Sequence, residues 1–233
     1  MKRLEAHDPR AIRYRLRRAR FKWIERLLDQ ILATKDHATI LDIGGRRDYW
    51  RLLDDAYKDR VRITILNTEA EVDRESAADI GIEIDTVVGD GTRMPQYSNG
   101  SFDLTHSNSV IEHVGLYRDM AGFTAETARV GRAYYLQTPN FWFPLEPHYG
   151  VPFFHWLPAP TRLWCHTHMN VGWAKRCSHA DAITRIDHTR IISRGLLRHL
   201  LPDAVHDSEK IIGLNKSLIA YRDYRAPEPG LKV

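Results

Sequence analysis

The residues able to do chemistry sit in a few short stretches. Thr39-Ile40-Leu41-Asp42-Ile43-Gly44-Gly45 sets apolar residues around one acid and ends in two glycines. It reads as a buried parallel strand, a tight turn and the start of a helix. In an open α/β sheet the crevice beyond such a strand end is where ligands bind. A second run, with Val61, Ile63 and Ile65 alternating with polar residues, closes at Asn67-Thr68-Glu69. A carboxylate at such a strand end can accept hydrogen bonds from both hydroxyls of a ribose; the acid here is Glu69, with Asn67 two residues earlier as the fallback position. A third run ends at Gly89-Asp90-Gly91, where a loop acid can accept from a base amino group and the neighbouring amide can donate to the ring.

A fourth strand is expected from Phe102 to Ser107, followed by a helix from about Val110 with Glu112 and His113 in its first turn. Neighbouring residues in a helical turn point to different faces, and His113 is the stronger candidate for substrate contact. Its ordinary pKa of about 6.5 suits a proton acceptor near neutrality, and a helix start would keep its ring neutral. The span from Pro139 to Pro158 holds five prolines and seven Phe, Trp or Tyr residues, with Trp164 just beyond. Prolines exclude a long helix there. The segment reads as a packed lid or as an apolar acceptor pocket in which Glu146, His148 and His155 fix polar groups. His148, His155, His166, His168 and His179 have none of the spacings of a recognised zinc motif, so no metal site is expected.

The elements that must position these residues are those of one α/β domain. At 233 residues, 43% hydrophobic and 27% charged, the chain is expected to fold around its own core. No run reaches the roughly 18 apolar residues of a membrane span, the basic N-terminus does not read as a signal peptide, and the protein is expected to be cytoplasmic. Cys165 and Cys177 form no C-x-x-C pair and are expected to be free thiols. The net charge of +4 is uneven: residues 1–26 carry ten Lys or Arg against three acids. Asp8 and Pro9 should start a helix reaching about Ala33, with Ile12, Leu16, Ala19, Trp23, Leu27 and Ile31 as its apolar stripe. That helix covers the domain, or its basic face meets anionic lipid or nucleic acid. A helix is also expected after Gly45, with Tyr49, Trp50, Leu52, Leu53 and Ala56 on its apolar positions. Further helices are expected at about Arg118–Val130, with Met120, Phe123, Thr124 and Thr127 inward, and at Ile191–Leu201. A fifth strand is expected at Arg132–Gln137, and two closing strands are joined at Gly213-Leu214.

Taken together, Leu41-Asp42-Ile43-Gly44, Val87 to Gly91, Phe102-Asp103-Leu104 through Ile111-Glu112-His113-Val114, and Gly213 to Ala220 resemble the class I S-adenosylmethionine-dependent methyltransferases, closest to the methyltransferase type 11 branch. The resemblance covers roughly residues 38 to 222. Arg46 and Asp48 stand where that family's later glycines usually are. It implies an α/β three-layer sandwich with a mostly parallel, seven-stranded Rossmann-like sheet and an antiparallel last strand. The chain is then expected to comprise a basic N-terminal helix over residues 1–37, a methyltransferase domain over 38–224 with an aromatic insert at about 140–185, and a disordered tail over 225–233, the helix and tail read from charge, periodicity and Pro/Gly content. The cofactor would be S-adenosylmethionine, contacted by Asp42, Gly44, Gly45, Glu69, Asp90, Gly91 and Ser107. His113, His148 and Glu146 would serve the acceptor, a small molecule such as a sugar or lipid-linked intermediate. Three rival readings stay open: a non-catalytic methyltransferase-like binding protein, an RNA methyltransferase, and a nicotinamide-dependent oxidoreductase, against which the missing third glycine counts.

Overall fold

The computed structural model describes residues 12–69 and 80–225. The expected N-cap at Asp8, the start of the first helix before Ile12 and most of the expected tail lie outside the described residues. The described part of the first helix, α1, runs Ile12–Leu32. Phe21, Trp23, Ile24, Leu27, Leu28 and Ile31 are buried, a face broader than the expected stripe, and Ala19 is exposed instead. The step of three and four that buries Trp23, Leu27 and Ile31 also turns Phe21, Ile24 and Leu28 inward.

The strands are β1 (Ala38–Ile43), β2 (Val61–Asn67), β3 (Glu83–Val88), β4 (Phe102–Asn108), β5 (Gly131–Pro139), β6 (Val205–Ile211) and β7 (Leu214–Arg222). They form one seven-stranded sheet in the order β3-β2-β1-β4-β5-β7-β6. β1 pairs in parallel with β2 and β4, and β2 in parallel with β3. The order of strands therefore reverses at β1 and β4, the switch point where open α/β sheets take ligands. β6 and β7 are joined by Ile212 and Gly213, whose φ values are 48° and 77°. Two left-handed residues make the tight turn that suits an antiparallel hairpin, so the sheet closes antiparallel.

Between β1 and β2 the expected helix is broken in two. α2 spans only Arg47–Trp50 and α3 only Asp55–Lys58. Asp54 caps the second by accepting from the Ala56 N–H, which stops the first from continuing. Ala56 is exposed, while Trp50, Leu52 and Leu53 are buried. After β4 the chain makes a three-residue 3-10 turn, Ile111–His113, in place of a helix from Val110. α4 follows at Tyr117–Val130, burying Met120, Phe123, Thr124 and Thr127 as expected. The aromatic segment contains a 3-10 turn at Phe154–Trp156 and leads to α5 (Ala159–His168), α6 (His179–Asp187) and α7 (Arg194–Leu200). Ser178 and Ser193 cap α6 and α7.

By compactness the chain has two units. The first draws on the chain up to Ser107, Glu126–Tyr135 and Tyr221 onward; the second is Asn108–Ala125 and Leu136–Ala220. α1 belongs to the first unit and the segment 140–185 to the second.

Within the first unit, Asp103 of the Phe-Asp-Leu run is buried and structural. Its Oδ2 accepts from the Thr39 N–H and the Thr39 hydroxyl, both at 2.9 Å, and from Lys35 Nζ at 2.8 Å. Thr39 is the second residue of β1, so Asp103 pins the start of β1 to β4. Asp103→Ala should lower stability by about 2–3 kcal/mol, mainly through donors left unpaired at Thr39, whereas Lys35→Met, at a half-exposed ammonium, should cost less than about 1 kcal/mol. Urea midpoints at unchanged slope measure both. Equal losses in the two variants would mean that the ion pair, and not the strand junction, carries the energy.

Candidate functional site

In the first unit, β1, β2 and β3 end level with one another. The ladder continues past the strands through Gly44 N–H to Leu66 O and Gly89 N–H to Asn67 O, both at 2.8 Å. The Gly44-Gly45 turn, Asn67-Thr68-Glu69 and Gly89-Asp90-Gly91 are thus the successive carboxyl-end loops of three adjacent strands. Gly44 has a φ of 73°, which favours glycine. Gly45 is required for another reason: a Cβ there would lie 1.7 Å from Asp42 Oδ2.

Asp42 explains that contact. It is fully buried on β1, in register with His106 on β4. Its Oδ1 accepts from His106 Nδ1 at 2.6 Å and its Oδ2 from Trp50 Nε1 at 2.7 Å. The His106 ring lies 5.5 Å from Tyr135 at an interplanar angle of 3°, with Tyr49 and Trp50 5.1 and 5.0 Å away. The expectation that Asp42 contacts a ligand is corrected: both carboxylate oxygens are engaged inside the unit, and its part is to hold the turn. The fallback Asn67 is likewise engaged, donating from Nδ2 to Gly45 O at 3.1 Å.

The remaining expected residues of this unit are available. Glu69 is exposed, two residues beyond the end of β2. Asp90 is exposed and uses Oδ1 to accept from the Thr92 N–H at 2.8 Å, which fixes its loop, while Gly91 is buried. Ser107, near the carboxyl end of β4, is buried, and its Oγ has no hydrogen-bond partner among the described residues. Two exposed carboxylates on adjacent strand loops, a glycine turn of close backbone approach and an orphaned hydroxyl suit a ligand with neighbouring hydroxyls and a base.

In the second unit a different cluster forms. Ser109 takes a φ of 59°, a conformation a non-glycine residue seldom holds without support. That support is Gln137, whose carbonyl oxygen accepts from Ser109 N–H at 2.8 Å and whose Oε1 accepts from Ser109 Oγ at 3.0 Å. The kink leads into the 3-10 turn and brings Glu112 and His113 to one place, although adjacent helical residues were expected to diverge. Glu112 is fully buried. Its Oε2 accepts from Thr138 Oγ1 at 3.0 Å, and its Oε1 has no hydrogen-bond partner among the described residues. Burial pushes its carboxyl above the usual range, opposed by His113, by hydrogen bonds to backbone and Thr138, and by His148.

His113 is exposed and donates from Nδ1 to His188 O at 2.6 Å. His148 donates from Nδ1 to Glu146 Oε1, also at 2.6 Å, and the two imidazoles lie 5.0 Å apart, nearly perpendicular. One donor atom each from Glu112, His113 and His148 lies within 4.8 Å of the others. Glu146 is corrected from an acceptor-contacting acid to a positioning group: it is buried, with Oε1 on His148 and Oε2 accepting from Tyr149 N–H. His155 is structural too, with Nε2 on Phe141 O at 2.7 Å. The helix-start argument for a neutral His113 does not apply to a three-residue turn. The aromatic segment is less enclosed than its composition suggests: Phe154 is buried, but Trp142 is 66% and Phe153 51% exposed.

Sequence reading missed His106, Trp50 and Ser109. Asp42 and His106 were findable in principle, as single polar residues at matching depth in two apolar strands. The left-handed Ser109 left no signal.

Residues 41–133 match the family model described as a methyltransferase domain. Two curated relatives, the uncharacterized proteins MT1557 and Rv1509 of Mycobacterium tuberculosis strains, are each 35% identical over 57 residues, 24% of this chain. That match spans only 20% of their own length. Similar solved structures include the PH0226 protein of Pyrococcus horikoshii, with a TM-score of 0.55 at 14% identity over 94% of both chains. The CurJ carbon methyltransferase gives 0.53 at 13%, over 90% of this chain and 54% of that one. An O-methyltransferase family protein of Burkholderia thailandensis gives 0.52 at 14%, over 94% and 61%. At these identities the structures establish likeness of fold.

The geometry separates the buried acid Asp42 from the exposed acids Glu69 and Asp90. Asp42→Ala strands the Trp50 N–H and the His106 Nδ1–H in the core and should cost about 2–5 kcal/mol of stability. Gly45→Ala, which displaces the same carboxylate, should also lower the urea midpoint. Glu69→Ala, at an exposed position, should leave it within about 0.5 kcal/mol of the parent. An Asp42→Ala protein as stable as the parent would remove the buried pair from its structural role.

Proposed function

We propose that the chain is a class I S-adenosylmethionine-dependent methyltransferase whose acceptor is a small molecule, such as a sugar, a lipid-linked intermediate or another metabolite. The first unit holds the cofactor, and the second supplies the side chains that meet the acceptor. The observation that carries this reading is the Glu112–His113–His148 cluster, three polar groups converging within one unit beside the aromatic segment. Pockets that fix small ligands pair apolar walls with a few such groups.

The cofactor fits the first unit through Glu69 at the ribose hydroxyls, Asp90 and Gly91 at the base, Ser107, and the backbone of Gly44 and Gly45. Bound there, S-adenosylmethionine would supply a methyl group already activated on a sulfonium, for in-line displacement. The chain then has to bind and orient. Asp42 and His106 hold the glycine turn, Glu146 and His188 orient the two imidazoles, and the cluster that His113 and His148 form with Glu112 holds the acceptor.

Among the described residues, part of the basic face of α1 is already engaged within the chain. Arg18 pairs with Glu25 at 2.8 Å, Arg26 reaches Tyr221 and Asp223, and Lys22 lies 3.8 Å over the Trp23 ring. Cations already paired gain less from phosphates. Among the described residues, no helix is long and apolar enough to cross a membrane.

Two measurements test the proposal. Glu69→Ala removes a charge-assisted acceptor worth roughly 1.5–3 kcal/mol, so cofactor affinity by calorimetry should fall about tenfold or more. No cofactor binding by the parent protein would favour a non-catalytic binding protein. Incubated with methyl-labelled cofactor, a small-molecule extract and total RNA, the protein should label the small-molecule fraction in a manner abolished by His113→Ala. Label in RNA would overturn the acceptor class.

A further inference from the structure

The cluster in the second unit has a feature that acceptor binding alone does not explain: each of its three groups is oriented by a partner of its own and keeps one donor atom to spare. His148 gives Nδ1–H to the buried Glu146 carboxylate at 2.6 Å, and His113 gives Nδ1–H to the His188 carbonyl at 2.6 Å. Both rings are therefore held in the tautomer whose Nε2 carries a free lone pair. Glu112 uses Oε2 on Thr138 and leaves Oε1 buried and unpartnered. A buried carboxylate oxygen with nothing to accept from is costly. A carboxylate or carbonyl on the far nitrogen of each histidine is the arrangement that prepares imidazoles for a metal ion.

We propose that Glu112, His113 and His148 bind one divalent first-row transition cation, with Glu146 and His188 as the outer groups that aim the two histidines. Two imidazoles and a carboxylate suit ions such as Zn2+, Fe2+ or Co2+ and leave coordination positions open. The cation satisfies Glu112 Oε1 and favours its ionised form, against the burial that raises its pKa. The open positions take an oxygen donor of the acceptor, which the cation polarises. This last role rests on the methyl-transfer reading; the binding of the cation does not. The site escapes sequence motifs because Glu112 and His113 are adjacent, on a strained kink, and His148 comes from a separate proline-rich segment.

The test uses the full chain, stripped with a chelator, titrated with Zn2+ by calorimetry and with Co2+ by visible absorption. One ion per chain is expected. His148→Gln and Glu112→Gln should weaken binding at least a hundredfold, and Glu146→Gln, which touches only the outer group, by roughly ten- to a hundredfold. His168→Gln, at an exposed histidine of α5 outside the cluster, should change nothing. Acetohydroxamate, a bidentate oxygen donor, should alter the Co2+ spectrum if coordination positions are open. Should Glu112→Gln fail to fold, His148→Gln, at a partly exposed position, carries the test alone. No stoichiometric ion in the parent protein, or undiminished affinity in His148→Gln, overturns the site, and an unaltered Co2+ spectrum with acetohydroxamate overturns its open face. Cofactor affinity is read in the same variants and should stay within about twofold of the parent; its loss in the parent, with metal binding intact, would sink the methyl-transfer reading and leave the metal site standing.

Discussion

The first unit depends on one buried interaction, the Asp42 carboxylate held between His106 and Trp50. A buried carboxylate is tolerated only where its oxygens are satisfied, and both of these are. That requirement propagates outward. It holds a polar pair in register on β1 and β4, and it draws Trp50 inward at the end of the short α2. It also leaves no room for a side chain at Gly45. The two glycines thus have separate causes, one a left-handed turn and the other the close approach of an acid. The glycine turn at the end of β1 is thus shaped by a buried contact within the unit.

The second unit works from a different kind of constraint. Glu112, His113 and His148 bring one donor atom each within 4.8 Å of the others. Glu112 is buried with an unpartnered oxygen, while Glu146, equally buried, is fully used in aiming His148. One carboxylate positions and the other awaits a partner. That difference arises from the left-handed Ser109, which ends β4 and lets two adjacent residues share one focus with a histidine 35 positions later.

Most of the sheet was legible because its strands advertise themselves. Val61, Ile63 and Ile65 alternate, Ile40, Leu41 and Ile43 surround a single acid and are closed by glycines, and the turn at Gly213 separates the last two strands. The candidate positions Glu69, Asp90 and Ser107 lie at or just beyond the carboxyl ends of β2, β3 and β4. What stayed hidden depended on tertiary context. The helix after Gly45 looked continuous on its apolar spacing, but Asp54 caps a new turn and Trp50 is claimed by Asp42. The exposed Trp142 and Phe153 show that aromatic density does not by itself mean burial. Asp42 read as a ligand contact because an acid beside two glycines looks the same whether it faces in or out. Only the partner strand, with His106 at matching depth, decides.

The account's central claim is that the carboxyl ends of β1 to β4 hold the cofactor. Amide spectra of the isotope-labelled protein, recorded while S-adenosylhomocysteine is added, test it most directly. Saturable shifts should appear at Gly44, Gly45, Glu69, Gly91 and Ser107, with little change at Trp142 and Trp173 of the second unit. Silence at those five positions, or shifts confined to the aromatic segment, would contradict it.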